Sequence, residues 1–562
     1  MAYEFDLGAH RRPVTTHSPD AQLWVDRGLN WLYGFNQEEA ALCFRRAGEI
    51  DPGCAMAHWG DAYASGPFYN LLWDWMTEEE RGRTLAHCRR ALARAEAAAS
   101  RASPAEHALI NALKTRYPDG HPEAGLLQTA THAYADAMRA VYARFPDDLD
   151  IVALFAEALM MRTPWALWDI AHGVPQPEAA TPEILAILER AIDQAGERPH
   201  LAINHLYIHA VEMGPGPETA LRQADQLAGL APDLGHMEHM GAHIFSLCGA
   251  YERAIEASWR AISADTKFLA ERGTGSFYTT ACCHDLHMLM FAAMMSGRER
   301  PARWAADRIR EIITPQLLDT PRRHMRTTLD GYWAKKLHML VRFGRWHDIL
   351  QDPLPADPEL QPVSLAMRAY ARGIAQAALG DVAEAARERR AFDRARSRLG
   401  DSVFLFNNPV QAILDVGEAM LAGELAYRRG AYPDAFRQLR TAVARSDALS
   451  YSEPWPWMHP PRHALGALLL EQDQLAEAEA IYRGDLGYDA AVPRCRRHPD
   501  NIWALHGLHE CLQRRGSEAE TMMISQRLAF AQARADRPIT ASCLCRGGPL
   551  AQSSTDRAPR PA

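Results

Sequence analysis

Seven histidines fall on three short segments of the 562-residue chain: His205 and His209, then His236, His239 and His243, then His284 and His287. Their separations of three, four and seven residues place each group on one face of a helix. Imidazole is the commonest metal-ligating side chain. If three such helices lie side by side, the faces converge on a metal site, and Glu212, seven residues past His205, continues the first stripe as a candidate carboxylate ligand. A single histidine on such a face is ordinarily a hydrogen-bonded core or groove residue. Seven together leave too many lone pairs buried, or too many charges if protonated, unless a cation accepts them.

Ligand type narrows the metal. A nitrogen-rich, carboxylate-poor set suits copper, zinc, nickel or iron and disfavours magnesium and calcium; copper is expected first, iron second and zinc third. A closed structural zinc site needs only four ligands, so eight candidates point to two ions, or to one ion with imidazoles behind it. Paired His-x-x-x-His helices are similar to the way type-3 dicopper proteins hold each copper with three imidazoles, on an unrelated bundle.

The elements that must position these faces are helix pairs. Between residues 21 and 54, Trp24, Gly28, Trp31, Ala40, Phe44, Ala47 and Pro52 alternate large and small side chains as two tightly packed antiparallel helices require. This stretch resembles the tetratricopeptide repeat, the helix-turn-helix unit of about 34 residues. Related punctuation recurs at Gly373, Gly380 and Ala385; at Gly423, Gly430, Tyr432, Ala435 and Ala442; at Gly466, Ala478 and Tyr482; and at Trp503, Gly507 and Ala519. The turn Gly249-Ala250-Tyr251 joins another pair. Strand-like alternation is absent.

The expected fold is therefore all-α, an α-solenoid of tetratricopeptide-like pairs over residues 20 to 536, with an N-terminal extension at 1 to 19 and a disordered tail at 537 to 562. Helices are predicted at about 197–213, 217–229, 236–248, 251–264 and 277–296, which puts all seven histidines on the first helices of three consecutive pairs. Those helices line the concave groove that such arrays use for binding. Proline-rich breaks at 353–362 and 454–461 read as loops between pairs.

Composition sets outer limits. Hydrophobic residues are 48% and charged residues 23% of the chain, enough for a large core, and the net charge of −9 is interspersed along the helices. That argues against nucleic-acid and anionic-membrane partners. No apolar run is long enough to span a bilayer, and the first residues lack a secretory pattern, so a cytoplasmic protein is expected. The 10 Cys are scattered and several lie mid-helix, as small core residues do. Cys543 and Cys545 form a lone pair with weak capacity for soft metal.

Several segments resemble a bacterial family of large tetratricopeptide-repeat proteins of mostly unassigned activity: residues 35–67, ending Ala57-His58-Trp59-Gly60-Asp61-Ala62-Tyr63; 158–168, with Pro164-Trp165-Ala166-Leu167-Trp168; 204–212; 235–245; and 342–346. In that family the third histidine segment usually reads Pro-His-Asn-x-His-Phe. Here Cys283-His284-Asp285-Leu286-His287-Met288 keeps both histidines, and the family's His-Met-Pro-x-His becomes His239-Met240-Gly241-Ala242-His243. The resemblance implies fold and site, and no reaction.

Two functions from different classes remain. The first is a metal-dependent oxidoreductase that uses dioxygen on a small organic substrate in the groove. The second is an interaction scaffold holding a peptide or partner helix there. His58, Trp59, Tyr69 and Asn70 are weaker candidates to cap the ligand, and His459, His463, His506 and His509 read as groove residues. Phosphate loops, nucleophile elbows and dinucleotide fingerprints are missing.

Overall fold

A computed structural model describes residues 3–120, 123–400 and 403–546. Among these residues there are 25 α-helices and only two strand pairs, Trp168–Asp169 with Val174–Pro175 and Phe404–Leu405 with Asn408–Pro409. The fold class is all-α, an α-solenoid of tetratricopeptide-like helix pairs. None of the helices is long and apolar enough to cross a membrane.

The pair at the start shows how sequence makes the unit. Ser18 caps Pro19–Tyr33 through its side chain, and Asn36 caps Gln37–Ile50 in the same way. The two helices pack along their length with Phe44 seated where a Cβ on Gly28 would lie 2.8 Å from its ring. The next helix, Ala55–Ala64, approaches the same ring through Gly60, whose Cβ would sit at 2.3 Å. Phenylalanine fills a slot that two glycines leave open.

First helices of successive pairs touch one another as well: Pro19–Tyr33 meets Ala55–Ala64, Pro362–Ala378 meets Val410–Arg428, and Pro461–Glu471 meets Ile502–Arg515. This contact between alternate helices is what stacks the pairs.

The chain divides into two compact units. Unit 1 comprises Met1–Phe245, Glu256–Asp285 and Arg322–His324; unit 2 comprises Ser246–Ile255, Leu286–Pro321 and Met325–Ala562. Divisions fall inside helices, including Gly235–Leu247 and Thr279–Met295, so no linker composition marks them. A single array was expected for that reason.

The histidine helices lie close to their predicted bounds, at Leu201–Val211, Gly235–Leu247 and Thr279–Met295. The partner of the first is a 3₁₀ turn, Pro217–Ala220, followed by a short helix, Leu221–Leu227. The partner of the second runs to Arg272 rather than 264.

The expected disordered tail needs a correction where it is described. Residues 537–546 are ordered against unit 2, with Ile539, Ala541, Ser542 and Cys545 buried, because side chains of that unit bind the segment's backbone. Cys543 and Cys545 are joined there as a disulfide. Residues 547–562 lie outside the described residues.

Candidate metal centre

Six of the seven histidines come together in unit 1 as two sets of three. In His205, His209 and His236 the potential ligand atoms lie within 4.8 Å of one another, and the same holds for His239, His243 and His284. Helical spacing supplies each set: four residues separate His205 from His209, and four separate His239 from His243. The sets adjoin, with ring centroids 4.8 Å apart from His236 to His239 and 5.7 Å apart from His209 to His243.

Acceptors behind the rings determine which nitrogen faces inward. The carbonyl of Tyr33, at the end of the first helix, takes the Nδ1 proton of His205 at 2.8 Å. Glu212 accepts from Nδ1 of His209 at 2.7 Å through one oxygen and from Nδ1 of His243 at 2.8 Å through the other. Asp285 meets Nδ1 of His239. A carbonyl or carboxylate has no proton to give, so these imidazoles carry hydrogen on Nδ1 and a lone pair on Nε2.

The Nε2 atoms converge accordingly. His205 and His236 approach at 3.0 Å and His243 and His284 at 3.4 Å, Nε2 to Nε2. Two nitrogens on one tetrahedral ion, each at about 2.0–2.1 Å from it, would be separated by about 3.3 Å. Nε2 of His239 and Nδ1 of His236 are buried with no hydrogen-bond partner. Burial pushes all six rings below the ordinary histidine range, His209 and His239 to about 3, and neighbouring imidazoles add to it for every ring but His239. Neutral imidazoles with inward lone pairs are the state that ligates metal.

Glu212, the candidate carboxylate ligand, lies with His209 and His243 in a group whose ligand atoms could also hold a metal ion, and its oxygens accept from one imidazole in each set. Asp285 does the same for His239 and is itself hydrogen-bonded to Asp265. Burial pushes both carboxyls upward, and repulsion from Asp285 adds to it for Asp265, so Asp265 keeps the proton and donates it to Asp285, which remains the acceptor behind His239. Asp265 also accepts from the Tyr278 hydroxyl at 3.2 Å. Carboxylate–imidazole pairs of this kind orient ligands and raise their basicity.

The site is buried, which corrects the expectation of imidazoles lining an open groove. His205, His209, His236, His239 and His243 are at most 2% exposed, and His284 is intermediate. Aromatic rings close it. Phe35 lies 4.4 Å from His205 and 5.2 Å from His236, centroid to centroid, and Trp165 lies 5.6 Å from His209. Both have left-handed backbones, φ 55° and 59°. A bulky residue in that conformation costs about 1–3 kcal/mol, which the surrounding packing must over-determine. Neither was legible as a site residue, since positive φ at an aromatic has no sequence signature.

His287 does not join either set. It belongs to unit 2, where its ring stacks on Phe406 at 5.9 Å and meets Tyr332 edge-on at 5.5 Å. Of the weaker candidates, Tyr69 does reach the site: its ring lies 5.5 Å from His209 and 4.6 Å from Trp165, whose indole nitrogen donates to the Tyr69 carbonyl at 2.9 Å. Trp59 is core packing, stacked on Tyr63 and bonded to the Leu109 carbonyl. His58 bonds to the Pro52 carbonyl, away from the cluster. Asn70 keeps a buried, unpartnered Oδ1 and is in neither three-histidine set.

No protein-family model matches the chain, and no curated protein matches it. Solved structures similar to it include Naa15/Naa10 bound to HypK-THB, 11% identical with a TM-score of 0.22 over 91% of this chain and 70% of that one. Yeast Tom70 is 9% identical with a TM-score of 0.28 over 92% and 89%, and the APC/C hetero-tetramer Cut9-Hcn1 is 13% identical with a TM-score of 0.21 over 94% and 96%. Scores this low carry no argument about this chain. Its helix-pair character rests on its own packing.

Proposed function

We propose that unit 1 holds two transition-metal ions, one in each three-histidine set, and uses them to oxidise a small organic substrate with dioxygen as the electron acceptor. A single observation carries the reading: six imidazoles in two sets, five of them buried, bring their potential ligand atoms together, and the four whose Nδ1 is held by a carbonyl or carboxylate keep their lone pairs on Nε2. Nitrogen-only donor sets suit copper, iron and zinc, and copper binds such sets most tightly. Three protein ligands leave a coordination position for substrate or dioxygen, the feature that separates catalytic from structural sites. Phe35, Tyr69 and Trp165 supply an apolar wall that suits an organic molecule and excludes water.

The test is elemental analysis of purified protein together with optical and electron paramagnetic resonance spectra. Two ions per chain, perturbed by azide or cyanide, support the reading, as does dioxygen consumption on screening phenols and other small oxidisable organics. Protein that binds no copper, iron or zinc with better than micromolar affinity removes it. The scaffold reading, a surface of tetratricopeptide-like pairs for a peptide or protein, then takes its place, and the helix pairs themselves favour it.

A further inference from the structure

Unit 2 carries an arrangement unrelated to the histidines. After the last long helix, Glu518–Arg534, the chain turns and runs without helix or strand across a surface built from several helix pairs. Asp536 starts the run by accepting from the amides of Glu299 and Arg300 at 2.8 and 2.7 Å, capping a helix whose own cap residue makes no side-chain bond. Arg537 pairs with Glu299 at 2.8 Å. Ile539 and Leu544 then settle on the two turn glycines Gly297 and Gly344, where an added Cβ would lie 3.1 and 3.0 Å from them.

The centre of the run is held through its backbone. Arg342, 5% exposed, donates to the Ser542 carbonyl at 3.1 Å while its guanidinium lies 3.6 Å from the Trp503 ring, and its Nε has no partner. Arg428 donates to the Cys545 carbonyl. Tyr482, whose ring sits between Gly466 and Gly507, meets the Ser542 hydroxyl at 2.5 Å. Glu510 takes Arg546 through both oxygens, at 2.5 and 2.8 Å. A buried guanidinium needs an acceptor, and here a main-chain carbonyl provides it.

Recognition of carbonyls by arginines, with pockets for a few side chains, is how a surface reads an extended peptide rather than a unique core sequence. The fit is also incomplete. A cavity of about 30 Å³, lined by Arg342, Tyr370, Glu424 and His459 together with Cys543 and Cys545, remains beside the run. That is room for a side chain longer than cysteine.

We propose that this surface of unit 2 is a peptide-binding groove in which residues 537–546 are a tethered resident, displaced by a partner's extended segment of the same chemistry. The partner carries an aliphatic residue at the Ile539 place, serine or threonine at the Ser542 place, arginine at the Arg546 place, and a longer polar residue at the Cys543 or Cys545 place. Its backbone carbonyls take the bonds of Arg342 and Arg428.

The probe is a fluorescent peptide of residues 537–546 in its disulfide form, titrated into full-length protein. Wild-type chain is expected to bind it weakly, because the resident occupies the groove. A full-length variant with the resident loosened, Asp536→Ser with Ser542→Glu and Arg546→Glu, is expected to bind at least about 10-fold more tightly. Adding Arg342→Met to that variant is expected to weaken binding again by about 10-fold. A loosened variant that keeps its wild-type circular dichroism and melting transition yet gains no affinity overturns the proposal. Hydrogen exchange on the wild-type chain decides independently of any variant's folding. Amides of 539–546 that exchange by local release, faster than those of Pro461–Glu471 and Ile502–Arg515, support a displaceable resident; exchange only with global unfolding makes the segment part of the core and overturns it.

Discussion

Glu212 accepts the Nδ1 proton of His243 at 2.8 Å across 31 residues of sequence, while its other oxygen holds His209, three residues away, at 2.7 Å. One buried carboxylate therefore orients an imidazole in each of the two sets.

Glu212→Gln should weaken both ions together. An amide can accept from one Nδ1 but must turn its NH₂ toward the other, so at least one ring loses its orientation and basicity. Losses of about 10–100-fold in affinity are typical for such partners. Titration of metal into metal-free protein measures it, and a loss confined to a single ion would show that Glu212 does not link the sets.

Single ligand deletions should divide the content. His209→Ala is expected to remove the ion of the first set and His243→Ala that of the second, each leaving about one ion per chain by elemental analysis. His107→Ala, an exposed position on the helix Pro104–Lys114, should leave both. Equal metal in all three variants dismisses the assignment.

Acid should destabilise unit 2 through His459. Burial lowers its pKa from 6.5 to about 3, with Arg342, His463 and Lys335 adding repulsion, and its nitrogens face His338 and the Tyr370 hydroxyl at 3.2 Å each. Its folded form stays neutral where its unfolded form takes up a proton. The unfolded state therefore gains protons first, and stability falls as pH drops through 6.5 toward 3, by up to about 1.4 kcal/mol per pH unit from this group. Denaturation of His459→Gln should show a shallower acid limb over that window; an identical slope would remove the histidine as its cause.

Gly60→Ala tests the helix pairing. Its Cβ would lie 2.3 Å from the Phe44 ring, which is confined by Gly28 on the other side. Overpacking of this kind costs about 1–3 kcal/mol, and the double variant with Phe44→Leu should recover part of it. A neutral Gly60→Ala in chemical denaturation would mean that the ring has room to move.

Much of this was open to reading in the chain itself. Helix pairs follow from local rules, the 3.6-residue recurrence of apolar positions, caps such as Ser18 and Asn36, and turn glycines such as Gly249 at φ 76°, so they survive without knowledge of the tertiary structure. The grouping of His205 with His209 and of His239 with His243 is local too, since helix geometry puts residues four apart on one face.

What tertiary structure decided is everything that depends on which faces meet. Spacing could not show that Glu212 and Asp285 stand behind the imidazoles, because their oxygens bind Nδ1 atoms on another helix, 31 and 46 residues distant in sequence. Nor could it separate His287 from His284, three residues apart, since that turns on the contacts each ring finds. The turns that swing Phe35 and Trp165 over the histidines, and the arginines that hold residues 537–546 in place, likewise belong to packing. Helix periodicity specifies a direction for each side chain, and only the assembled helices determine what lies there.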